Sequence, residues 1–178
     1  MNKSEIRKKI LRIRKKNSKN LKIDFENIYE ILKNRSNCKI IGGYYPYNYE
    51  VDTIEILNKL EKKNFNISLP KIKENSQMNF FSWSKNDPLT INKQGIPEPT
   101  SKKIIYPDIL LVPIVAYDKH FNRIGYGGGF YDRYIKKIKK MKDIYTIGLA
   151  YPFQKVKKVP TNKNDIRLNY VITTKKNK

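Results

Sequence analysis

The chain has 178 residues, 39% of them hydrophobic, with 13 Tyr and 7 Phe to supply large buried surfaces, so one domain with a single packed core is expected. Thirty-eight Lys and Arg against 16 Asp and Glu give a formal charge of +22, which raises a basic nucleic-acid-binding protein as one reading. A lone cysteine, Cys38, excludes an internal disulfide framework; no signal peptide and no apolar run near the ~20 residues of a membrane span is visible, so a cytoplasmic setting is expected.

The nucleic-acid reading is weakened by how the charge is made. Only seven of the 38 basic residues are Arg, the residue that phosphate- and base-reading surfaces favour. The densest runs, Arg12 to Lys19 and Lys136 to Lys142, read as solvated helix faces. Specific binding to nucleic acid is therefore not expected, whereas the same positive field would concentrate small anionic ligands.

Taken in order, Ser4 to about Lys16 reads as a helix with Ser4 as its N-cap and Ile6, Ile10 and Ile13 on one side; Lys3, Arg7 and Arg14 project from others. A second helix, about Asp24 to Asn34, would bury Phe25, Ile28, Ile31 and Leu32. Lys39 to Tyr45 is the first strand candidate, and Gly42 and Gly43 imply a close approach there. Tyr45 to Thr53 leads into a helix ending near Lys63, with Asp52 and Glu55 at capping-box spacing and Glu50 placed to complement the helix dipole. Phe65 to Pro70 returns as a strand, Met78 to Trp83 alternates as an edge strand, and Gln94 to Pro99 reads as a proline-rich loop. Ile109 to Val115 is the central strand. A helix from Tyr131 to Met141, a strand from Ile144 to Tyr151 and a last strand from Leu168 to Thr173 complete the chain. This alternation predicts an α/β fold with a largely parallel sheet, whose ligands gather outside the carboxyl ends of the strands.

The most informative stretch is Asp108 to Asp132, DILLVPIVAYDKHFNRIGYGGGFYD. It runs from an apolar strand through a glycine-dense loop into an amphipathic helix. Gly125, Gly127, Gly128 and Gly129 leave the backbone open to a polyanion, and the free N–H groups of the following helix point back at the loop. No Gly-x-x-x-x-Gly-Lys-Ser/Thr run is present, and Phe130 occupies the last position of a dinucleotide fingerprint, so neither common nucleotide motif applies. With one His and one Cys, zinc is disfavoured.

The pattern from Pro113 through Ala116, Tyr117, Asp118, Arg123, the glycines and Phe130-Tyr131-Asp132-Arg133 resembles the signature of the 5-formyltetrahydrofolate cyclo-ligases. Lys3-Ser4-Glu5-Ile6-Arg7, Tyr45-Pro46 through Glu50-Val51-Asp52-Thr53, Gly95-Ile96-Pro97-Glu98-Pro99 and the loop ending at Asp165 are similar to further family segments, in the same order. The resemblance implies a three-layer α/β/α fold and an ATP-dependent closure of 5-formyltetrahydrofolate to 5,10-methenyltetrahydrofolate. It implies that residues 3–7 (Lys3, Ser4, Glu5, Ile6, Arg7) reach ATP, as do Arg123, Ile124, Gly125, Tyr126, Gly127, Gly128, Gly129, Phe130 and Tyr131. Tyr45 and Glu50 would line the folate pocket, with residues 126–130 also approaching the folate, and Asp132 and Asp165 would hold Mg²⁺. A monomer acting on folate, polyglutamylated forms included, is expected. Two positions depart from the pattern: Gly128 stands where some members carry Lys, and Asn164 where many carry His. His120 lies in a turn that varies in the family and is assigned no role; no side-chain nucleophile or general base is assigned.

Overall fold

A computed structural model describes residues 1–35, 37–73 and 77–176. In chain order the elements are α1 (Lys3–Asn17), β1 (Leu21–Lys22), α2 (Phe25–Lys33), β2 (Ile40–Gly42), α3 (Ile54–Glu61), β3 (Asn66–Ile72), β4 (Met78–Ser82) and β5 (Leu89–Ile91). They continue as β6 (Pro97–Pro99), β7 (Ile109–Pro113), β8 (Ala116–Tyr117), β9 (Arg123–Ile124), α4 (Phe130–Ile138), β10 (Tyr145–Ala150), β11 (Tyr170–Thr173) and β12 (Lys175–Lys176). No helix among the described residues is long and apolar enough to cross a membrane.

Six strands form a sheet in the order β11-β10-β7-β2-β3-β4, parallel throughout except for β4, which runs antiparallel to β3 at the edge. The expected largely parallel α/β sheet is present. Strand β7 explains why its sequence reads as a continuous apolar run: successive side chains point to opposite faces, and both faces are covered. Ile109 and Leu111 pack with Ile28 and Leu32 of α2 and Leu57 and Leu60 of α3. Leu110 and Val112 pack with Tyr134, Ile135 and Ile138 of α4. Helix α1 lies over the end of the sheet, where Ile6 and Ile10 meet Val115, Ala116, Ile124 and Val159. Gly42 serves this packing, since a Cβ there would come within 2.7 Å of both Leu110 and Pro107.

Strand β2 continues through α3 to β3 on one side, whereas β7 continues through α4 to β10 and then β11 on the other. The strand order therefore reverses between β2 and β7, and the loops leaving their carboxyl ends diverge around a crevice. Those loops carry Tyr45 to Thr53 and Ile114 to Gly129. At the opposite end of the strands, Asp108 accepts the N–H groups of Lys39 and Ile40 at 2.9 and 2.8 Å and pairs with Lys142, tying β2 to β7.

Three local expectations are corrected. Asn2, not Ser4, caps α1: its side chain accepts from Glu5 N–H at 3.0 Å while Glu5 accepts from Asn2 N–H at 2.8 Å, a reciprocal box. The Asp52–Glu55 box does not form, because Asp52 accepts from Ile54 N–H and Glu55 is drawn outward by Lys22 and Lys59 at 3.0 and 2.9 Å. Pro97–Pro99 is a strand, not a free loop; β5 and β6 make a hairpin.

Candidate functional site

The crevice opens into a cavity of about 810 Å³ walled by both divergent loops, the amino end of α1, the β5–β6 hairpin and the loop before β11. Lys3 and Arg7 project into it from successive turns of α1, and Arg7 Nε donates to Gly125 O at 2.8 Å. Ser4 is exposed, Glu5 is committed to the helix cap, and Ile6 is buried in the core, so none of these three presents its side chain to the cavity. Residues Arg123 to Tyr131 line it without a break. Gly127 has φ +109°, and Gly129 caps α4 with φ +65°; both conformations are costly for any residue with a Cβ.

Glu50 and Tyr45 line the opposite wall. The Glu50 side chain accepts Tyr47 N–H at 2.8 Å, within a turn in which Asn48 and Tyr49 hold φ of +47° and +60°. Desolvation pushes its carboxyl up to about 7, against the opposing pull of the Tyr47 N–H and the Arg14 charge. A carboxylate poised there seeks a ligand with N–H donors to complete its solvation.

The acidic pair sits at the third wall. Asp165 holds Lys3 Nζ at 2.5 and 2.7 Å and Asn162 N–H at 2.6 Å. Asp132 Oδ1 accepts from Arg123 Nη2 and from Ile166 N–H, each at 2.9 Å, so the two carboxylates flank one short segment. Among the described residues no group of three or more His, Cys, Asp and Glu could cage a metal. Two carboxylates now neutralised by Lys3 and Arg123 fit a cation that shares its coordination with phosphate oxygens and water.

The family model described as the 5-formyltetrahydrofolate cyclo-ligase family matches residues 1–174. The chain belongs to this family. The cyclo-ligase of Haemophilus influenzae is 34% identical over 138 residues, covering 74% of this chain and 73% of that protein. The Escherichia coli K12 cyclo-ligase is 31% identical over 143 residues, 76% of this chain and 78% of its own. A solved 5,10-methenyltetrahydrofolate synthetase from Aquifex aeolicus superposes with a TM-score of 0.76 at 28% identity, over 97% of this chain and 90% of that one. The synthetase from Mycoplasma pneumoniae shares the fold, with a TM-score of 0.74 at 23% identity over 97% and 98%.

Against the cyclo-ligase pattern, both departures fall on the cavity. A Cβ on Gly128 would approach the Phe130 ring to 2.5 Å, so a side chain there would require Phe130 to turn. Asn164 lines the wall beside Asp165. His120 is exposed in the turn after β8, its N–H donating to Asp118 at 2.9 Å, outside the cavity. Two residues escape sequence reasoning. Glu98, 6% exposed, faces the cavity from β6 and accepts from Ile72 N–H at 3.0 Å and Asn92 Nδ2 at 2.8 Å. Its signals in the sequence are the two flanking prolines and the family-like segment Gly95 to Pro99, neither of which assigns it a place in the site. Arg14, in a run that reads as solvated, is 1% exposed.

Proposed function

We propose that the chain closes 5-formyltetrahydrofolate to 5,10-methenyltetrahydrofolate at the expense of ATP. Family membership makes ATP the expected co-substrate, and the observation that carries the reading is the single cavity that joins the glycine loop to the Glu50 wall. An anionic nucleotide and a pterin with N–H donors need just these two opposed surfaces. Neither the family nor the fold supports the nucleic-acid alternative.

The chemical difficulty is that an N-formyl oxygen is a poor leaving group and its carbon a poor electrophile. Attack of that oxygen on the γ-phosphorus, with ADP departing, cures both. The N10 lone pair then adds to the iminium-like carbon, the N10 proton is lost, and phosphate leaves with the C–O electrons. The chain's part is to hold the formyl oxygen in line with the γ-phosphate and to neutralise charge. Lys3 and Arg7 would meet the phosphates, and residues 123–131 would wrap them with backbone N–H groups. Tyr45 and Glu50 would hold the pterin, with residues 126–130 closing over the folate. Asp132 and Asp165 would hold Mg²⁺, which neutralises phosphate charge when bound. The same reading takes the chain as one catalytic domain, residues 1–178, working as a monomer in the cytoplasm on folates that include polyglutamates.

Purified protein with MgATP and 5-formyltetrahydrofolate should generate the methenyl chromophore, and omission of ATP should abolish it. A well-folded sample with neither turnover nor ATP binding would sink the assignment.

A further inference from the structure

Arg14 is the largest side chain buried to below 2% exposure among the described residues, and it has no carboxylate in direct contact there. Burying a cation without a paired anion is costly, so the position asks for a reason. Its Nη1 donates to Ile114 O at 3.3 Å, its Nη2 donates to the Tyr126 hydroxyl, and its guanidinium lies 5.4 Å from the centre of the Tyr126 ring. Nε is buried without a hydrogen-bond partner among the described residues. Tyr126 in turn donates to Tyr47 O at 3.4 Å and packs edge-on to the Tyr47 ring at 5.7 Å, and Tyr47 N–H holds the Glu50 carboxylate. The series Arg14, Tyr126, Tyr47, Glu50 therefore runs from the core beneath the cavity, through the glycine loop, to the opposite wall.

Both loops carry open or strained backbone. Gly125 has no atom within 4 Å of where a Cβ would stand, Gly127 is in a conformation only glycine enters freely, and Asn48 and Tyr49 occupy left-handed backbone at a cost. The Glu50 turn closes on itself through Glu50 N–H to Tyr47 O at 3.0 Å and Tyr47 N–H to the Glu50 carboxylate, and Arg7 holds Gly125 O, so what these bonds leave open is the separation of the two loops. On the basis of the function proposed above, we propose that Arg14 is a positioning residue: it clamps Tyr126 against the Tyr47–Glu50 turn and so sets the separation between the nucleotide loop and the pterin wall. It touches neither substrate. It stands on the same face of α1 as Lys3 and Arg7, since at about 100° per residue the three fall within about 40° of one another.

The test is steady-state kinetics on the full chain carrying Arg14→Lys, Arg14→Met, Tyr126→Phe and the double substitution Arg14→Met with Tyr126→Phe. Arg14→Met should raise KM for ATP and for folate together and cut kcat/KM by about 10- to 100-fold, the loss expected for a charge-assisted hydrogen bond. The double variant should be little worse than Arg14→Met alone, because both break one link. The groups facing Glu50 are Arg14 from α1, Tyr44 from the loop after β2, Tyr126 and Tyr131 from the glycine loop and α4, and Tyr151 after β10. The four hydroxyls are neutral near pH 7. Removing the one permanent cation should therefore move the acid limb of the kcat/KM profile to higher pH in Arg14→Met, and leave it in place in Arg14→Lys and Tyr126→Phe. A merely structural Arg14 would lower thermal stability while KM and the acid limb stayed fixed, and that outcome, or an additive double variant, overturns the clamp. Should Arg14→Met not fold, Tyr126→Phe decides alone, since Tyr126 is 39% exposed and loss of its hydroxyl leaves the core intact; an unchanged KM there refutes the proposal. A wild-type chain without turnover sinks the functional reading and this proposal with it, whereas normal wild-type turnover with unaltered variants sinks the clamp alone.

Discussion

Replacing Glu50 with glutamine should make the protein more stable in alkali and worse at binding folate, and the structure supplies the size of the effect. Desolvation lifts the carboxyl from its ordinary 4.5 to about 7. A raised acid holds its proton more tightly in the folded state, so the contribution of neutral Glu50 is fully present below pH 4.5 and is lost as pH climbs through about 7. The gap converts to about 3 kcal/mol. Glutamine keeps an oxygen for Tyr47 N–H but never ionises, so the variant escapes this loss and carries a pH-independent offset of about 1–3 kcal/mol for a buried amide in need of partners. All other titrating groups are common to the two proteins. The difference in melting temperature, variant minus wild type, should therefore rise by about 5–10 °C between pH 5 and pH 8, at about 2–4 °C per kcal/mol for a chain of this size. Separate titrations should find folate affinity falling far more than ATP affinity. A melting difference that stays flat with pH would refute the reasoning, because Glu50 would then ionise like an exposed carboxylate. Equal losses for both ligands would return it to a structural role in its turn.

Two other perturbations test the remaining walls. Gly127→Ala forces a Cβ onto backbone at φ +109°, about 3.5 Å from Arg7 Nη2, at a cost on the order of 1–3 kcal/mol; ATP affinity should drop by about 5- to 100-fold, and an unchanged ATP titration would show that the loop does not need this shape. Asp165→Asn should raise the Mg²⁺ concentration that half-saturates activity, with excess Mg²⁺ restoring part of the rate; if Asp132→Asn shifts that dependence and Asp165→Asn does not, Asp165 serves only Lys3 and the 162–165 turn.

Much of this molecule is legible in its sequence because the relevant signals are periodic or chemically rare. Strand β7 announces itself as an apolar run because both of its faces are covered, and the glycine loop because its glycines stand in one pattern with Asp118 and Arg123 before them and Phe130-Tyr131-Asp132-Arg133 after. Errors cluster where several residues could do one job. Asn2 and Ser4 both have side chains suited to cap α1, and which one serves depends on where tertiary contacts start the helix. The burial of Glu98 has a different origin: it is created by the β5–β6 hairpin and by contact with Ile72 on β3, and the latter is a long-range fact that a proline-flanked acid does not disclose.

Arg14 is the most instructive miss. A run of basic residues reads as solvent-facing because a buried cation is rare, and Arg12, Lys15 and Lys16 beside it are indeed exposed. Charge density conceals the exception, since the surface cations and Arg14 are the same residue types in the same run. Helical phase separates them. Lys3, Arg7 and Arg14 share one face, and that face meets the cavity at its first two positions and the core behind the cavity at the third. A net charge of +22 thus carries little information about function in itself, because on α1 the cations that bear on the site are distinguished from the solvated ones only by which side of the helix they occupy.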